Sequence, residues 1–217
     1  MDTNNLQKII TDFRQTKDER TLDAFACDIV LAEHGYWSFD RNSWPRAQLI
    51  MALFHNSEPE DKPLIKWLLK QEHLAQEVEM PYYALDAVTY LLYKYMEMED
   101  LFAIYHSKFE TYGDIYLEVE LTFGFDKEET KTYLRDPANK HPYTEDYLKT
   151  IARYESNTQA KYKTRAELME YYKNRKIVPI TNDLEFSEEF MKTGISEYSK
   201  ILDKEKKEQL KNENRDR

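Results

Sequence analysis

Two histidines each stand four residues before a glutamate, a spacing that places both side chains on one face of a helix. The pairs are His73 with Glu77 and His106 with Glu110. Such a pair can bind a divalent metal or carry a proton. It also arises by chance as a solvated surface pair, because the chain holds 41 acidic residues. His106 with Glu110 is the better candidate because it adjoins an aromatic stripe.

Motifs for other kinds of catalysis are missing from the sequence. Four scattered glycines are too few for a phosphate-binding loop, a dinucleotide-binding turn or a nucleophile elbow. One cysteine excludes a thiolate metal site, and no histidine follows a Glu-x-x-His or H-E-x-x-H pattern. We therefore expect a non-enzymatic protein without a cofactor. A metal-dependent enzyme that uses a histidine–carboxylate pair is the remaining catalytic alternative.

Three acidic residues, Asp114, Glu118 and Glu120, follow one another closely among tyrosines. Asp114 and Glu118 share a helical face at a spacing of four and repel each other unless solvated or opposed by a cation. They are either a solvated face behind the core or an acidic surface suited to a basic protein.

Aromatic residues are unusually dense in the polar loop 36–43, which contains Tyr36, Trp37, Phe39 and Arg41. One interpretation is that the rings fold back onto the helices as a lid. The other is an exposed anchor for a partner, since Trp, Tyr and Arg are enriched at binding hot spots.

Charge and composition narrow the class of partner and the compartment. The formal net charge of −10 argues against sequence-independent binding to nucleic acid or an anionic membrane, and favours a basic protein partner. No signal peptide opens the sequence and no apolar run is long enough to span a membrane. The lone Cys27 cannot form an internal disulfide, so we expect a cytoplasmic protein.

The elements that must position these residues are helices. One aliphatic stripe and one aromatic stripe recur at steps of three and four, and predict two antiparallel helices at the centre of the core. The aromatic stripe keeps a period near 3.5 across Gly113, so that residues 98–123 form either one helix or two, of which we favour two helices or one bent at Gly113. The stripes are Ala84, Ala87, Val88, Leu91, Leu92 and Tyr95, then Met98, Phe102, Tyr105, Phe109, Tyr112, Tyr116, Val119 and Phe123.

Further helices are predicted from apolar spacing and capping signals. Pro179 makes residues 177–180 an extended linker or edge strand rather than a helix. Paired tyrosines are too numerous for one buried stripe, so several are expected at the surface. The predicted helices cover residues 4–16, a stretch from Leu22 to Ala32 closed by Gly35, helices with Pro45 or Pro63 in their first turns, capping boxes at Ser57–Glu60 and Thr164–Glu167, a helix after Asp126, one from Thr144, and a final helix from Phe186 to Leu202.

The overall prediction is an all-α protein of about ten helices. Residues 1–202 form a single helical domain and residues 203–217 a charged tail that frays into solvent. No clean 34- or 40-residue repeat is visible, so an irregular multi-helix bundle and an αα-hairpin array both stay open.

Residues 105–134 also resemble a segment of uncharacterised bacterial all-helical proteins. The likeness rests on Tyr105-His-Ser-Lys108-Phe109, on Leu121-Thr-Phe-Gly124-Phe125 and on Glu129-Thr-Lys-Thr-Tyr133-Leu134. In those proteins an aromatic-x-Ala/Ser-Lys helix precedes an apolar-Gly-apolar turn and a helix that ends Thr-x-x-Tyr-Leu. The resemblance implies a bacterial helical protein and carries no activity.

These observations favour a non-enzymatic protein that binds another protein. The leading hypothesis is an acidic antagonist, of the immunity type, that neutralises a basic toxin or nuclease made in the same cell. The alternatives are a helical-repeat scaffold or regulator that binds a peptide in a groove, and the metal-dependent enzyme. The oligomeric state is left open.

Overall fold

The computed structural model describes residues 3–33, 37–78, 81, 83–111 and 117–213. In these ranges the chain is all-α, as predicted, with one two-stranded ribbon. None of the described helices has the length and apolar content needed to cross a membrane. The helices are α1 (Thr3–Thr16), α2 (Ser43–Asn56), α3 (Lys62–Ala75), α4 (Tyr83–Tyr95), α5 (Leu101–Phe109), α6 (Lys127–Arg135), α7 (Thr144–Ser156), α8 (Arg165–Tyr171), α9 (Ile177–Phe186), α10 (Glu188–Thr193) and α11 (Glu197–Glu213).

Local capping sets several helix starts where the sequence predicts them. The Asp126 carboxylate accepts the backbone N–H groups of Glu128 and Glu129 at 2.8 and 3.0 Å, which satisfies donors that an α-helix leaves free at α6. Thr164 and Glu167 form the predicted reciprocal capping box at the start of α8.

Helix α4 is the centre of the core. Its residues 84–93 are all buried, so it is covered on every side rather than along one stripe. It packs against α2, α3 and α9. The aliphatic stripe therefore predicts the central helix correctly, while the burial of Asp86, Thr89 and Tyr93 on its other sides goes beyond the stripe.

Residues 98–123 do not form one regular helix. Helix α5 ends at Phe109, and a separate 3-10 segment runs from Val119 to Phe123. The described residues of the aromatic stripe are therefore divided among a 3-10 turn at Met98–Asp100, α5 and the 3-10 segment Val119–Phe123, so one continuous helix is ruled out. Gly113, the predicted bend, lies outside the described residues.

A turn of the same shape recurs at an interval of 39 residues. Glu58 precedes a 3-10 turn that leads into α3, and Glu97 precedes one that leads into α5, with φ, ψ of −120°, 162° and −111°, 169°. In each turn an aspartate three residues on, Asp61 or Asp100, closes a capping box. Two successive αα-hairpins, α2–α3 and α4–α5, thus share a connection, in which the pattern Glu-x-Glu-Asp recurs at residues 58–61 and 97–100. The predicted box is displaced by one residue, from Ser57 to Glu58.

A strand replaces the C-terminal part of the helix predicted from Leu22 to Ala32. A 3-10 helix spans Glu19–Phe25, and strand β1 (Ile29–Leu31) pairs antiparallel with β2 (Ser38–Asp40), with Val30 opposite Phe39. Tertiary contacts hold the ribbon in place, because the buried guanidinium of Arg46 binds the Asp40 carboxylate and the Phe25 carbonyl. Helical spacing of the apolar residues could not reveal this partner.

Pro179 lies inside a helix, so the predicted extended segment 177–180 is wrong. Helix α8 continues through a π-helical segment, Tyr172–Lys176, directly into α9. A proline ring normally clashes with the carbonyl four residues earlier. We attribute its acceptance to the π-helix, whose wider turn lies at that carbonyl.

The predicted final helix is broken into α9, α10 and α11. Gly194 ends α10 in the left-handed conformation, with φ of 68°. A β-carbon there would lie 2.6 Å from the Phe39 ring, so glycine is required both for the turn and for the contact with β2. Helix α11 then extends to Glu213, across much of the predicted tail, and residues 204–208 are exposed.

Candidate protein-binding groove

The aromatic loop folds back onto the protein. Phe39 is only 5% exposed, and the Trp37 indole N–H donates to the Gly194 carbonyl at 2.8 Å while its ring stacks on Tyr198. Arg41 is exposed and pairs with Asp28. Tyr36 lies outside the described residues. Trp37 and Phe39 thus pack back onto the helices, as the first interpretation of this loop predicts. Phe39 is not exposed as an anchor for a partner.

Of the predicted acidic surface, the structure describes Glu118 and Glu120, and neither side chain is exposed. Glu120 is 6% exposed and accepts the Tyr154 hydroxyl at 3.2 Å. Glu118 pairs with Lys176 at 3.3 Å. Asp114 lies outside the described residues. Glu118 and Glu120 therefore bind inward-facing groups of the same chain.

Glu118 belongs to a buried polar cluster that we call the Lys176 cluster: Asp86, Glu118, Tyr172 and Lys176. The ammonium of Lys176 lies 3.2 Å from Asp86 and 3.3 Å from Glu118, and the Tyr172 hydroxyl contacts both carboxylates. Burial raises the pKa of Asp86 to about 6, against the lowering effect of Lys176. Burial also raises the pKa of Tyr172 well above its usual value. Tyr172 is thus a core residue.

The histidines of the two predicted pairs meet each other across helices. The rings of His73 (α3) and His106 (α5) lie 4.5 Å apart between centroids. His73 Nε2 contacts the Ser107 hydroxyl at 2.8 Å, and His106 Nδ1 contacts the Tyr143 hydroxyl at 2.8 Å. Burial, and then the electrostatic effect of His106, lowers the pKa of His73 to about 3. A neutral buried imidazole of this kind is suited to packing rather than to acid catalysis near neutral pH.

Metal-ligand geometry is found elsewhere in the described part of the chain. The carboxylates of Glu97, Glu99 and Asp100 form its one group of three potential ligands, and it contains neither His106 nor Glu110. Ammonium groups already approach these carboxylates: Lys62 lies 2.7 Å from Asp100, and Lys66 lies 2.8 Å from it. This group is an ion-paired helix turn, so the geometry gives no support to the metal-enzyme alternative.

A groove of about 560 Å³ follows the outward face of α2. We call it the α2 groove. Its volume is in the range of binding pockets and it is open to solvent along its length. Apolar side chains form most of its lining, namely Leu6, Trp44, Ala47, Met51, Ala52 and Leu184.

The groove lies between α2 and the last helices. Helix α9 packs on α4, whereas α10 packs on α2, where the Ser43 hydroxyl donates to the Met191 carbonyl at 3.0 Å. Between these contacts, Trp44, Met51 and Ala52 of α2 are only half-buried. The gap is closed at its other side by Leu6 of α1.

The polar groups of the α2 groove carry one sign of charge. Glu185 and Glu188 lie on the wall formed by α9 and α10, and Gln48, His55 and Thr181 complete the polar lining. None of the described residues that line the groove is Lys or Arg. An apolar floor beside carboxylates is complementary to a segment with apolar and basic side chains.

A second groove of about 730 Å³ begins where the first ends, because His55 lines both. It runs between α4 and the α8–π segment, over Phe54, Tyr90 and Met169, and includes Lys94. The second groove is lined by Lys94, Lys173 and Glu170, so an excess of carboxylates is confined to the α2 groove.

A second stripe on α2 could have pointed to this groove. Trp44, Gln48, Met51 and His55 recur at steps of four, three and four, apart from most of the buried positions of α2. Both Trp44 and Met51 are half-buried in the structure. The opposing carboxylates, Glu185 among them, carry no such signal because they come from a helix more than 120 residues later.

Comparisons with known proteins give no relative from which a function could be assigned. No protein-family model, no curated protein and no solved structure matches this chain. The resemblance of residues 105–134 to bacterial helical proteins therefore stays a prediction.

Proposed function

We propose that this chain is a protein-binding module whose α2 groove accepts an apolar, basic helical segment of a partner protein. The observation that carries the proposal is the uncovered apolar face of α2 with Glu185 and Glu188 on the facing wall. This combines two of the sequence hypotheses, the basic partner and the groove. The proposed contact with the partner is therefore the α2 groove, and not the aromatic loop or Glu118 and Glu120.

The dimensions of the site favour a helix over a small molecule as its occupant. Recognition of an amphipathic helix in a groove uses apolar anchors at steps of three and four, supported by charges at the rim. The α2 groove is open to solvent and adjoins the second groove at His55, whereas a site for a small ligand buries most of its ligand. The apolar floor would supply affinity, and the carboxylates would set the orientation and speed of association.

The biological setting that we propose is the one the sequence indicates, a bacterial cytoplasm in which the protein antagonises a basic toxin or nuclease. The net charge of −10 supports a basic partner. In that setting the antagonist would bind a segment that the partner needs for its own activity. A scaffold or regulator of another basic protein would use the same groove, and the identity of the captured partner separates the two.

A direct test uses a designed amphipathic peptide about 18 residues long, five helical turns, with leucines on one face and lysines beside them. We expect binding by calorimetry at about 20 mM salt and loss of most of the affinity at about 500 mM salt, because ionic screening weakens exposed charge pairs. A peptide with glutamates in place of the lysines should not bind. Equal binding of both peptides, or of neither, would refute the proposal.

Paired variants localise the contact. Met51→Arg places bulk and a cation on the groove floor, and we expect at least a tenfold loss of affinity, which corresponds to about 1.4 kcal/mol. Leu74→Arg is the matched control, because Leu74 is an exposed apolar residue of α3 that does not line the groove. Circular dichroism would establish that both variants keep the helical fold.

A further inference from the structure

One lysine already makes the contacts that a basic partner would make in the α2 groove. The ammonium of Lys192, on α10, lies over the Trp44 ring at 5.5 Å from its centroid. The same ammonium pairs with Glu188, one turn earlier on α10. Trp44 and Glu188 both line the groove, whereas Lys192 does not.

We propose that the Trp44 ring and the Glu188 carboxylate form a cation subsite at the α10 end of the α2 groove, occupied by Lys192 in the free protein. A partner's lysine or arginine would displace Lys192 on binding. This inference rests on the proposed function and specifies how the groove selects its partner.

The chemistry of the subsite is that of cation recognition. Tryptophan has the aromatic face most attractive to a cation, and a carboxylate beside it holds the cation in place. Glu185 lies one turn from Glu188 on the same wall, so the wall stays negative when Lys192 neutralises Glu188. Arginine should occupy the subsite better than lysine, because its planar guanidinium stacks on the ring and binds the carboxylate with two N–H groups.

Displacement of Lys192 is feasible because its contacts are at the surface. The side chains of Lys192 and Glu188 are 49% and 42% exposed, and exposed pairs of this type contribute little to stability. Lys192 can move its ammonium into water without a change in the backbone. The free protein therefore holds a weak internal competitor for the partner's cation.

The test compares two variants that each remove one positive charge. Lys192→Gln vacates the subsite, and we expect the basic peptide to bind about two- to fivefold more tightly, the range given by one exposed cation–π contact. Lys200→Gln is the control, because Lys200 pairs with Glu189 and Glu197 outside the groove. Its affinity should equal that of the unmodified protein, apart from the small effect of net charge.

The outcomes separate the subsite from the groove. Tighter binding by Lys192→Gln alone supports the subsite, and Trp44→Leu should then abolish the gain. If the unmodified protein binds the peptide but Lys192→Gln binds equally or more weakly, the subsite is refuted and the groove stands. If Lys192→Gln and Lys200→Gln gain equally, the effect is one of net charge and the subsite is again refuted. If no variant binds the peptide, both proposals fail.

Discussion

Two buried ion clusters hold distant parts of this protein together, and they differ in how completely they are enclosed. The Arg46 cluster contains Arg46, Asp40 and Glu72, whose side chains are 0%, 0% and 4% exposed. In the Lys176 cluster, Asp86 and Tyr172 are sealed, whereas the side chains of Lys176 and Glu118 are 16% and 15% exposed. One cluster fastens the ribbon to α2 and α3, and the other fastens the π-helical segment to α4.

The two clusters also differ in how their cations are hydrogen-bonded. In the Arg46 cluster one guanidinium donates three hydrogen bonds in three directions, to Glu72, Asp40 and the Phe25 carbonyl. In the Lys176 cluster two carboxylates share one ammonium and one hydroxyl proton. Both clusters set two carboxylates against one cation, and burial raises the pKa of one carboxyl in each, Glu72 in the first and Asp86 in the second.

The largest expected effect comes from removing the enclosed cation. Arg46→Met leaves Asp40 and Glu72 buried without a counter-ion, and we expect a loss of about 3 to 5 kcal/mol of unfolding free energy in urea denaturation. Burial already raises the pKa of Glu72, so part of the loss should be recovered on acidification as that carboxyl takes up a proton. A loss below about 1 kcal/mol would contradict the assignment of the ribbon's stability to this cluster.

The pH dependence of the Lys176 cluster is the next largest effect. The pKa of Asp86 is about 6 in the folded protein and 3.8 in the reference state, so protonation favours folding. This contribution is fully present below pH 3.8 and is lost as the pH rises through 6, to a total of about 3 kcal/mol. We therefore expect the unmodified protein to gain stability relative to Asp86→Asn as the pH falls from 7 to 4.

The difference between these two proteins is the informative quantity, because other groups titrate in the same range. The pKa of His73 is lowered, so its contribution is present above pH 6.5 and is lost as the pH falls towards 3, opposite in sign to that of Asp86. It cancels when the unmodified protein is compared with Asp86→Asn at each pH. A pH-independent difference would show that Asp86 is not perturbed.

Removal of the partly enclosed cation should be less damaging than Arg46→Met. Lys176→Met leaves Asp86 and Glu118 facing each other, but Glu118 can be hydrated and Asp86 can take up a proton. We expect a loss of about 2 kcal/mol at pH 7, measured by urea denaturation. A loss equal to that of Arg46→Met would mean that exposure does not distinguish the clusters.

The smallest effect is that of the shared hydroxyl. Tyr172→Phe removes the group that contacts Asp86 and Glu118 while keeping the ring stacked on Tyr90 at 4.6 Å. We expect a loss of about 1 kcal/mol of unfolding free energy, the usual net contribution of one hydrogen bond. Tyr133→Phe, on α6 and half-buried, is the comparison that controls for loss of a tyrosine hydroxyl away from the cluster.

The predictable parts of the fold are those fixed by neighbours in sequence. The Asp126 cap and the Thr164–Glu167 box act within one turn, and the stripe of α4 reflects a helix buried among others. The ribbon was missed because its position depends on Arg46, and α9 was missed because a π-helical turn admits Pro179. Those causes are long-range contacts or a rare backbone shape, and neither leaves a period in the sequence.

The candidate site was less predictable than the fold. Aromatic and acidic residues that looked available for binding, such as Phe39 and Glu120, are buried because they complete the core and its hydrogen bonds. The α2 groove depends on how α9 and α10 pack near α2, which joins residues more than 120 positions apart in the chain. The half-buried stripe at Trp44 and Met51 is its local trace in the sequence.

The two recurring acidic turns each depend on ion pairs with an earlier helix. Asp61 is held by Arg14 of α1 at 2.7 Å, and Asp100 is held by Lys62 and Lys66 of α3. Each connection is thus clamped by a helix that precedes it, and each hairpin depends on the one before. A shortened chain that begins at Ser43 would leave Asp61 without its clamp, while Asp100 would keep both of its lysines. Truncation from the N-terminus should therefore destabilise these two connections one after the other, first the one at Asp61 and then the one at Asp100.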